Sequence, residues 1–379
     1  MSEIAVRSIE AHFGGLEDSR AKLGKRHQLL DIMVIAICGV ICGADNWVEV
    51  EMFGKAKERW LRQFLDLPHG IPSHDTFGRI FAQIDPGQFE TSFLSWVQAI
   101  FEITDGQVVA IDGKTVRRSH DRSNGKAAIH LVSAWATANH LVLGQVKVDD
   151  KSNEITAIPQ LLQLLELSGC IVTIDAMGCQ TEIVAQIMEA DADYVLTVKE
   201  NQPHLLEDIS IFFDLAQQNG FAKVDHDYHQ TVNGGHGRIE TRECWTISGD
   251  ENLQFLRSYG CWKGLQTMAM VKRQRRIEDK VTSETQYYIS SLPNEAKRIL
   301  QAIRSHWGIE NSLHWVLDVA MGEDDSRVRK GHAPENLALL RRVALALLKQ
   351  EKTAKVGVKA KRHKAGWDEN YLMKVLSVT

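Results

Sequence analysis

Between Gly106 and Val198 the chain alternates short apolar runs with amphipathic stretches in an order that few topologies accommodate. Gln107 to Val116 (QVVAIDGKTV), Ile129 to Thr137 and Leu141 to Val148 each read as a strand, the last two parted by the turn-forming Asn139. A helix follows, with Ile158, Leu161, Leu162 and Leu165 on its apolar face, Thr156 as its cap and Gly169 as its stop. Cys170 to Asp175 then reads as a short buried strand, Thr181 to Glu189 as a helix and Asp193 to Val198 as a strand.

Strand, strand, strand, helix, strand, helix, strand is the order of a ribonuclease H-like α/β core, in which the first three strands form an antiparallel meander. The surrounding segments differ in character. From Leu29 to about Phe101 the pattern is helical: Trp60, Phe64, Leu67, Phe77, Ile80 and Phe81 recur at helical spacing, Ser73 is an N-cap, and Pro86-Gly87 breaks the chain before Phe89, Phe93 and Trp96. This all-helical first domain suits a helix-turn-helix DNA reader and a packing or dimerisation module equally well. Thr241 to Ile247, Thr267 to Lys272 and Thr285 to Ser290 are candidate strands of a β-rich insertion at about 221–292. A helix from about Asn294 to Ala320 carries His306, Trp307, Glu310, His314 and Asp318, and an amphipathic helix spans Glu335 to Lys349. The expected division is 1–104 helical, 105–350 catalytic with its insertion, and 351–379 a basic C-terminal tail.

A formal charge of −5 over 379 residues conceals basic clusters. Lys114, Arg117, Arg118, Arg122 and Lys126 follow the first strand; Lys272, Arg273, Arg275 and Arg276 form a second group; Lys352, Lys355, Lys359, Lys361, Arg362 and Lys364 form a third with no acid among them. Each alone reads as a solvated face, whereas together they suit phosphate contacts. The longest apolar run, Ile32 to Ala44, is too short to span a bilayer, which takes about 20 residues. Six cysteines contain no CxxC pair, which argues against a zinc finger and for reduced thiols in a cytoplasmic protein.

Asp112 lies within one apolar strand (VVAIDGK) and Asp175 ends another (IVTIDAMG). An ionised carboxylate at such a place needs a cationic partner, and neighbouring first and fourth strands bring the two together. Two anions at close range repel, and a divalent cation removes the repulsion; ligands that are all oxygen indicate Mg²⁺ or Mn²⁺. For either aspartate alone, a turn former or N-cap is the competing explanation. Two ions about 4 Å apart need a third carboxylate, and Glu310 suits, sharing one side of its helix with His306 and His314. The HExxH spacing of zinc proteases is absent.

In the strings VVAIDGKTVRRS, TIDAMGCQ, YVLTVKENQPHL, HWGIENSLHWVLDV and NLALLRRVALALLK, with PSHDTFGRIF in the first domain, the sequence resembles insertion-sequence DDE transposases of the H-repeat-associated, Rhs-linked (ISAs-type) group. The likeness covers nearly the whole chain. It implies a ribonuclease H-like core with a β insertion before the last acidic residue, a helical associated domain in front, and Asp112, Asp175 and Glu310 as the triad binding two Mg²⁺ or Mn²⁺ ions. It also implies DNA-backbone contacts by Lys199, Asn201 and Gln202, beside Lys114, Arg117 and Arg118 of the first basic cluster. The broader group carries a Tyr, Arg, Glu, Lys signature around the glutamate. Here Ile303, His306 and Leu317 stand where the other three would be, so Arg304, His306 and His314 are expected to take the DNA-end contacts, with Asp318 one turn on.

The activity so implied is metal-dependent cleavage at element ends followed by strand transfer into target double-stranded DNA, by a homodimer on the DNA, with the nucleoid as its place. The rivals are a domesticated metal-dependent nuclease that promotes recombination and a catalytically inactive DNA-binding remnant.

Overall fold

The computed structural model describes residues 9–20, 25–100, 106–120, 125–149, 152–222, 224–235 and 237–377. The expected boundary at 104/105, the helix end at Phe101 and Arg122 lie outside them.

The first region is helical, as its periodicity requires: α1 Leu29–Ile41, α2 Trp47–Leu61, α3 His74–Phe81 and α4 Pro86–Ile100. Helix α1 is buried on every side from Asp31 to Ile41, which makes the apolar run a central core helix. Ser73 caps α3 by accepting the Thr76 amide. Pro86 and Gly87 open α4 instead of breaking the chain, because proline at a helix start gives up an amide that has no partner there; Asp85 Oδ1 accepts the Gln88 amide at 2.8 Å.

The sheet strands are β1 Val108–Thr115, β2 His130–Ala136, β3 Leu141–Lys147, β4 Ile171–Ile174, β5 Asp193–Val198, β6 His226–Gly235, β7 Arg238–Ser248, β8 Thr267–Ile277 and β9 Lys280–Ser290. They form one mixed sheet in the order β3-β2-β1-β4-β5-β9-β8-β7-β6. The meander β1-β2-β3 is antiparallel, while β4 lies parallel to β1 and β5 parallel to β4. Helices α5 Glu154–Leu164 and α6 Thr181–Glu189 make the crossovers. Helix α5 is capped by Asn153, whose Oδ1 accepts the Ile155 amide; the expected cap, Thr156, instead donates its hydroxyl to the Asn153 carbonyl. The insertion leaves through α7 Pro203–Gln218 and returns with β9 antiparallel to β5, so its strands extend the core sheet.

Beyond β9 come α8 Ala296–Ile309, a π turn Glu310–His314, α9 Trp315–Met321, α10 Ala333–Gln350, α11 Val358–Trp367 and α12 Glu369–Leu376. The long expected helix is therefore interrupted at Glu310. The expected tail is two packed helices. Its Arg362 is buried, giving Nε to the Val40 carbonyl at 3.0 Å and Nη2 to Asp45 Oδ1 at 2.7 Å, and bonding Ala320 as well. The Val40 and Ala320 carbonyls lie in the last turns of α1 and α9, where the helix dipole favours a cation, and the Asp45 carboxylate adds a counter-charge. Ile32 to Ile41 of α1, Leu337 to Leu348 of α10 and Tyr371, Leu372, Val375 and Leu376 of α12 belong to one hydrophobic cluster with the sheet.

Candidate active site

Parallel pairing of β1 with β4 places Ile111 beside Ile174, so Asp112 and Asp175 follow at the same level, one residue further along each strand. The Asp112 Oδ1 atom accepts the Gly113 amide at 2.9 Å. A Cβ at Gly113 would lie 2.1 Å from Glu154 Oε1 and 2.5 Å from His130 Nε2, so any larger residue would displace the Glu154–His130 pair. Asp175 Oδ1 accepts the Met177 amide at 3.0 Å and caps the turn Ala176–Gly178. Asn201 and Gln202 hold that segment from outside, donating to the carbonyls of Ala176 (2.6 Å) and Cys179 (2.9 Å).

Helix α8 crosses the same end of the sheet. His306 Nδ1 sits 3.1 Å from Thr173 Oγ1 on β4, and burial pushes its pKa down to about 4, so the ring is neutral. At the π turn Glu310 is exposed, and four residues on His314 is buried with its Nδ1 3.2 Å from Glu310 Oε2 and 3.6 Å from Asp112 Oδ2. Burial also lowers the His314 pKa, partly offset by Glu310. Turns of this width recur at functional sites.

Asp112, Asp175 and Glu310, brought from β1, β4 and the π turn, thus line one cavity of about 490 Å³, together with Lys199, Thr173, His306 and Trp307. The carboxylates are electrostatically strained. Burial pushes Asp112 up to about 7, with Asp175, Glu154 and Glu310 adding to the rise against the Gly113 amide; Asp175 is raised by burial and by Glu154, with Lys199 opposing. Among the described residues no lysine or arginine forms an ion pair with any of the three. One ligand atom each from Asp112, Glu310 and His314 lies within 4.8 Å of the others, a donor set that fits a divalent cation. Asp175 stands outside that tight group.

The remaining expected residues divide. Lys114 is corrected: its side chain is 7% exposed and its Nζ is 2.7 Å from Asp318 Oδ1 and 2.9 Å from Asp324 Oδ1, with Glu323 behind, so its charge is spent inside the protein. His314 is likewise buried, not offered to a DNA end, and His306 is tied to β4. Arg117 and Arg118 stay exposed while pairing with Asp324 at 3.2 Å and Asp325 at 3.1 Å. Asn201 and Gln202 spend amide protons on the turn after Asp175, and Lys199 is exposed at the cavity rim.

Arg304 lines a second depression, of about 330 Å³, with Arg238, Arg242, Arg273 and Arg275. This groove shares Glu284, Gln286, Tyr288, Ile303 and Trp307 with the carboxylate cavity, so the two are continuous. Arg273 lies over the exposed Trp307 ring at 5.7 Å. Arg238 and Arg242 were legible only as alternate positions on a strand, which point to one face. Glu154, which takes His130 Nε2 at 2.7 Å beside Asp112, had no signal beyond its place at a helix start.

A family described as "Transposase DDE domain" matches residues 103–348, and one described as "DDE_Tnp_1-associated" matches 10–97. The chain is 42% identical over 377 residues to "Putative transposase YncI" of Escherichia coli O157:H7, covering 99% of this chain and 95% of that one. It is 40% identical to "H repeat-associated putative transposase YhhI" of Escherichia coli K12, covering 98% of each. A solved synaptic complex of piggyBac transposase with hairpin DNA aligns over 97% of this chain and 77% of that chain, at 10% identity and a TM-score of 0.40.

Proposed function

Because the chain belongs to the DDE transposase family, alongside H-repeat-associated members, we propose that it cuts DNA at the ends of a mobile element and joins them to a target. The single observation that carries this reading is the convergence of Asp112, Asp175 and Glu310, remote in sequence, on one cavity. The strand order from β1 to β5 supports a ribonuclease H-like core.

Divalent ions held by these residues, two Mg²⁺ or Mn²⁺, would supply Lewis acidity at the phosphodiester and neutralise charge on the attacking and leaving oxygens. Asp112, central on β1, would serve both ion positions, Asp175 one and Glu310 the other. Thr173 and His306 lock α8 against β4, which fixes Glu310 relative to the aspartates. Asn201 and Gln202 set the turn that aims Asp175, and Lys199 at the rim is placed to take a phosphate oxygen. No side chain needs to act as a covalent nucleophile, because both cleavage and joining are in-line substitutions by an oxygen of water or DNA. Two ends have to meet, so the working unit is a dimer on DNA, acting at the nucleoid in the cytoplasm.

The test uses duplex DNA carrying the repeats that flank the gene, incubated with the full chain and Mg²⁺ or Mn²⁺. Nicked ends followed by joined products support transposition; nicks that are never joined indicate a nuclease, and binding without nicks an inactive remnant. Asp175→Asn is expected to abolish cleavage while end binding in a gel shift stays within about twofold, since a metal charge is lost and the sheet is not. Equal loss of both would refute the assignment.

Arg275 and Arg304 form no ion pair among the described residues and open onto the groove, which suits them to a DNA backbone. Each phosphate contact releases counterion, so Arg275→Gln and Arg304→Gln are each expected to flatten the slope of log Kd against log salt by about 0.9. Fluorescence anisotropy with duplex DNA over a salt series measures it; an unchanged slope removes the groove from the DNA path.

A further inference from the structure

Asp175 is occupied as a cap and stands apart from the tight donor cluster, which consists of Asp112, Glu310 and a histidine. That histidine is the observation the triad does not use. Its side chain is 5% exposed, too buried to meet DNA, and its Nδ1 faces the space between two carboxylates.

We propose that His314 binds the divalent cation directly through Nδ1, making the ion position shared by Asp112 and Glu310 a mixed carboxylate and imidazole centre. This rests on the reading that a divalent ion binds here. The geometry carries it. An octahedral ion with bonds of about 2.1 Å holds neighbouring donor atoms about 3 Å apart. Nδ1 is 3.2 Å from Glu310 Oε2 and 3.6 Å from Asp112 Oδ2, so closing on one ion takes sub-ångström shifts. A hydrogen bond accounts for less, because the single proton an imidazole nitrogen carries serves one carboxylate and leaves the other facing the ring without a bond. The π turn puts Glu310 and His314 on one side of the helix, so both reach the same point from adjacent turns.

An imidazole ligand alters which ion the site prefers. Mg²⁺ favours oxygen, whereas Mn²⁺ stands beside the metals that accept nitrogen, so His314 tilts the site toward Mn²⁺. The contrast with the neighbouring ring is informative: His306 Nδ1 is engaged by Thr173, and His306 takes no part in the donor cluster.

The decisive measurement is pulsed electron paramagnetic resonance of the full-length chain with one equivalent of Mn²⁺ and no DNA. The unmodified chain is expected to show the ¹⁴N modulation of a bound imidazole, replaced by a ¹⁵N pattern when histidine is isotopically labelled. The modulation is expected to vanish in His314→Gln. Loss of this ligand is also expected to raise the Mn²⁺ dissociation constant at least about tenfold, with a smaller rise for Mg²⁺. Bound Mn²⁺ without nitrogen coupling in the unmodified chain overturns this inference alone and leaves a carboxylate site standing. Failure of Mn²⁺ to bind, or binding undiminished by Asp112→Asn, overturns the metal reading with it. The unmodified spectrum needs no variant to fold.

Discussion

Asp112→Asn is expected to abolish the proposed strand cleavage and, in the same molecule, to make the metal-free protein more stable at alkaline pH. The first effect follows from removing a charge that several kilocalories per mole of metal-dependent stabilisation depend on, a loss of about 10³-fold or more. The second follows from burial. The Asp112 carboxyl titrates near 4 in an unfolded chain and at about 7 in the fold. The folded state therefore holds the proton more tightly. Its stabilising contribution is complete below pH 4 and is lost as pH rises through 7, a cost of order 2–4 kcal/mol by pH 8. Asparagine has no proton to lose. Thermal unfolding in the presence of chelator should show the variant ahead of the parent at pH 8, with the gap closing toward pH 4. A gap that widens on acidification, or cleavage within tenfold of the parent, would refute the placement of Asp112.

Breaking the Arg342–Glu323 pair is expected to have the largest effect on stability. Both side chains are 0% exposed, with Arg342 Nη1 2.8 Å from Glu323 Oε1 and 2.9 Å from the Ala338 carbonyl. Burial pushes the Glu323 carboxyl up, but Arg342, Arg341 and Lys114 more than offset it, and its pKa is lowered overall. Glu323→Gln leaves Arg342 in the core without its paired carboxylate, and Arg342→Met leaves Glu323 only the more distant Arg341 and Lys114, at a cost of about 3–5 kcal/mol. Replacing both residues by methionine should recover most of that, because the burial of the two charges is itself expensive. Chemical denaturation of the two single variants and the double variant measures the coupling. If the double variant is as unstable as the sum of the singles, the pair is not acting as a unit.

The same network explains what the sequence made visible and what it did not. Asp112 and Asp175 stood out only as a pair, because an acid on one apolar strand is a weak signal by itself and it is the strand order that makes the two strands neighbours. Lys114 was not, because a basic run records charge and not what faces it; its partners Asp318, Glu323 and Asp324 are far along the chain. The run ending in Lys364 misled for the same reason, since Lys361 and Arg362 bond buried carbonyls. Strand β6 gave no alternation to read, being exposed along nearly all its length. The π turn escaped too, because a regular apolar period survives one widened turn. His314 was legible as a residue sharing one side of the helix with Glu310, yet its approach to Asp112, 3.6 Å away on β1, is a contact between residues remote in sequence.

The packing of α1 against α2, α10 and α11 has a temporal consequence. A ribosome delivers α1 long before α10 and α11, and Arg362 adds its bonds to the Val40 and Ala44 carbonyls only then. The side of α1 that faces α10 and α11 therefore waits, open to water, until translation has passed α11.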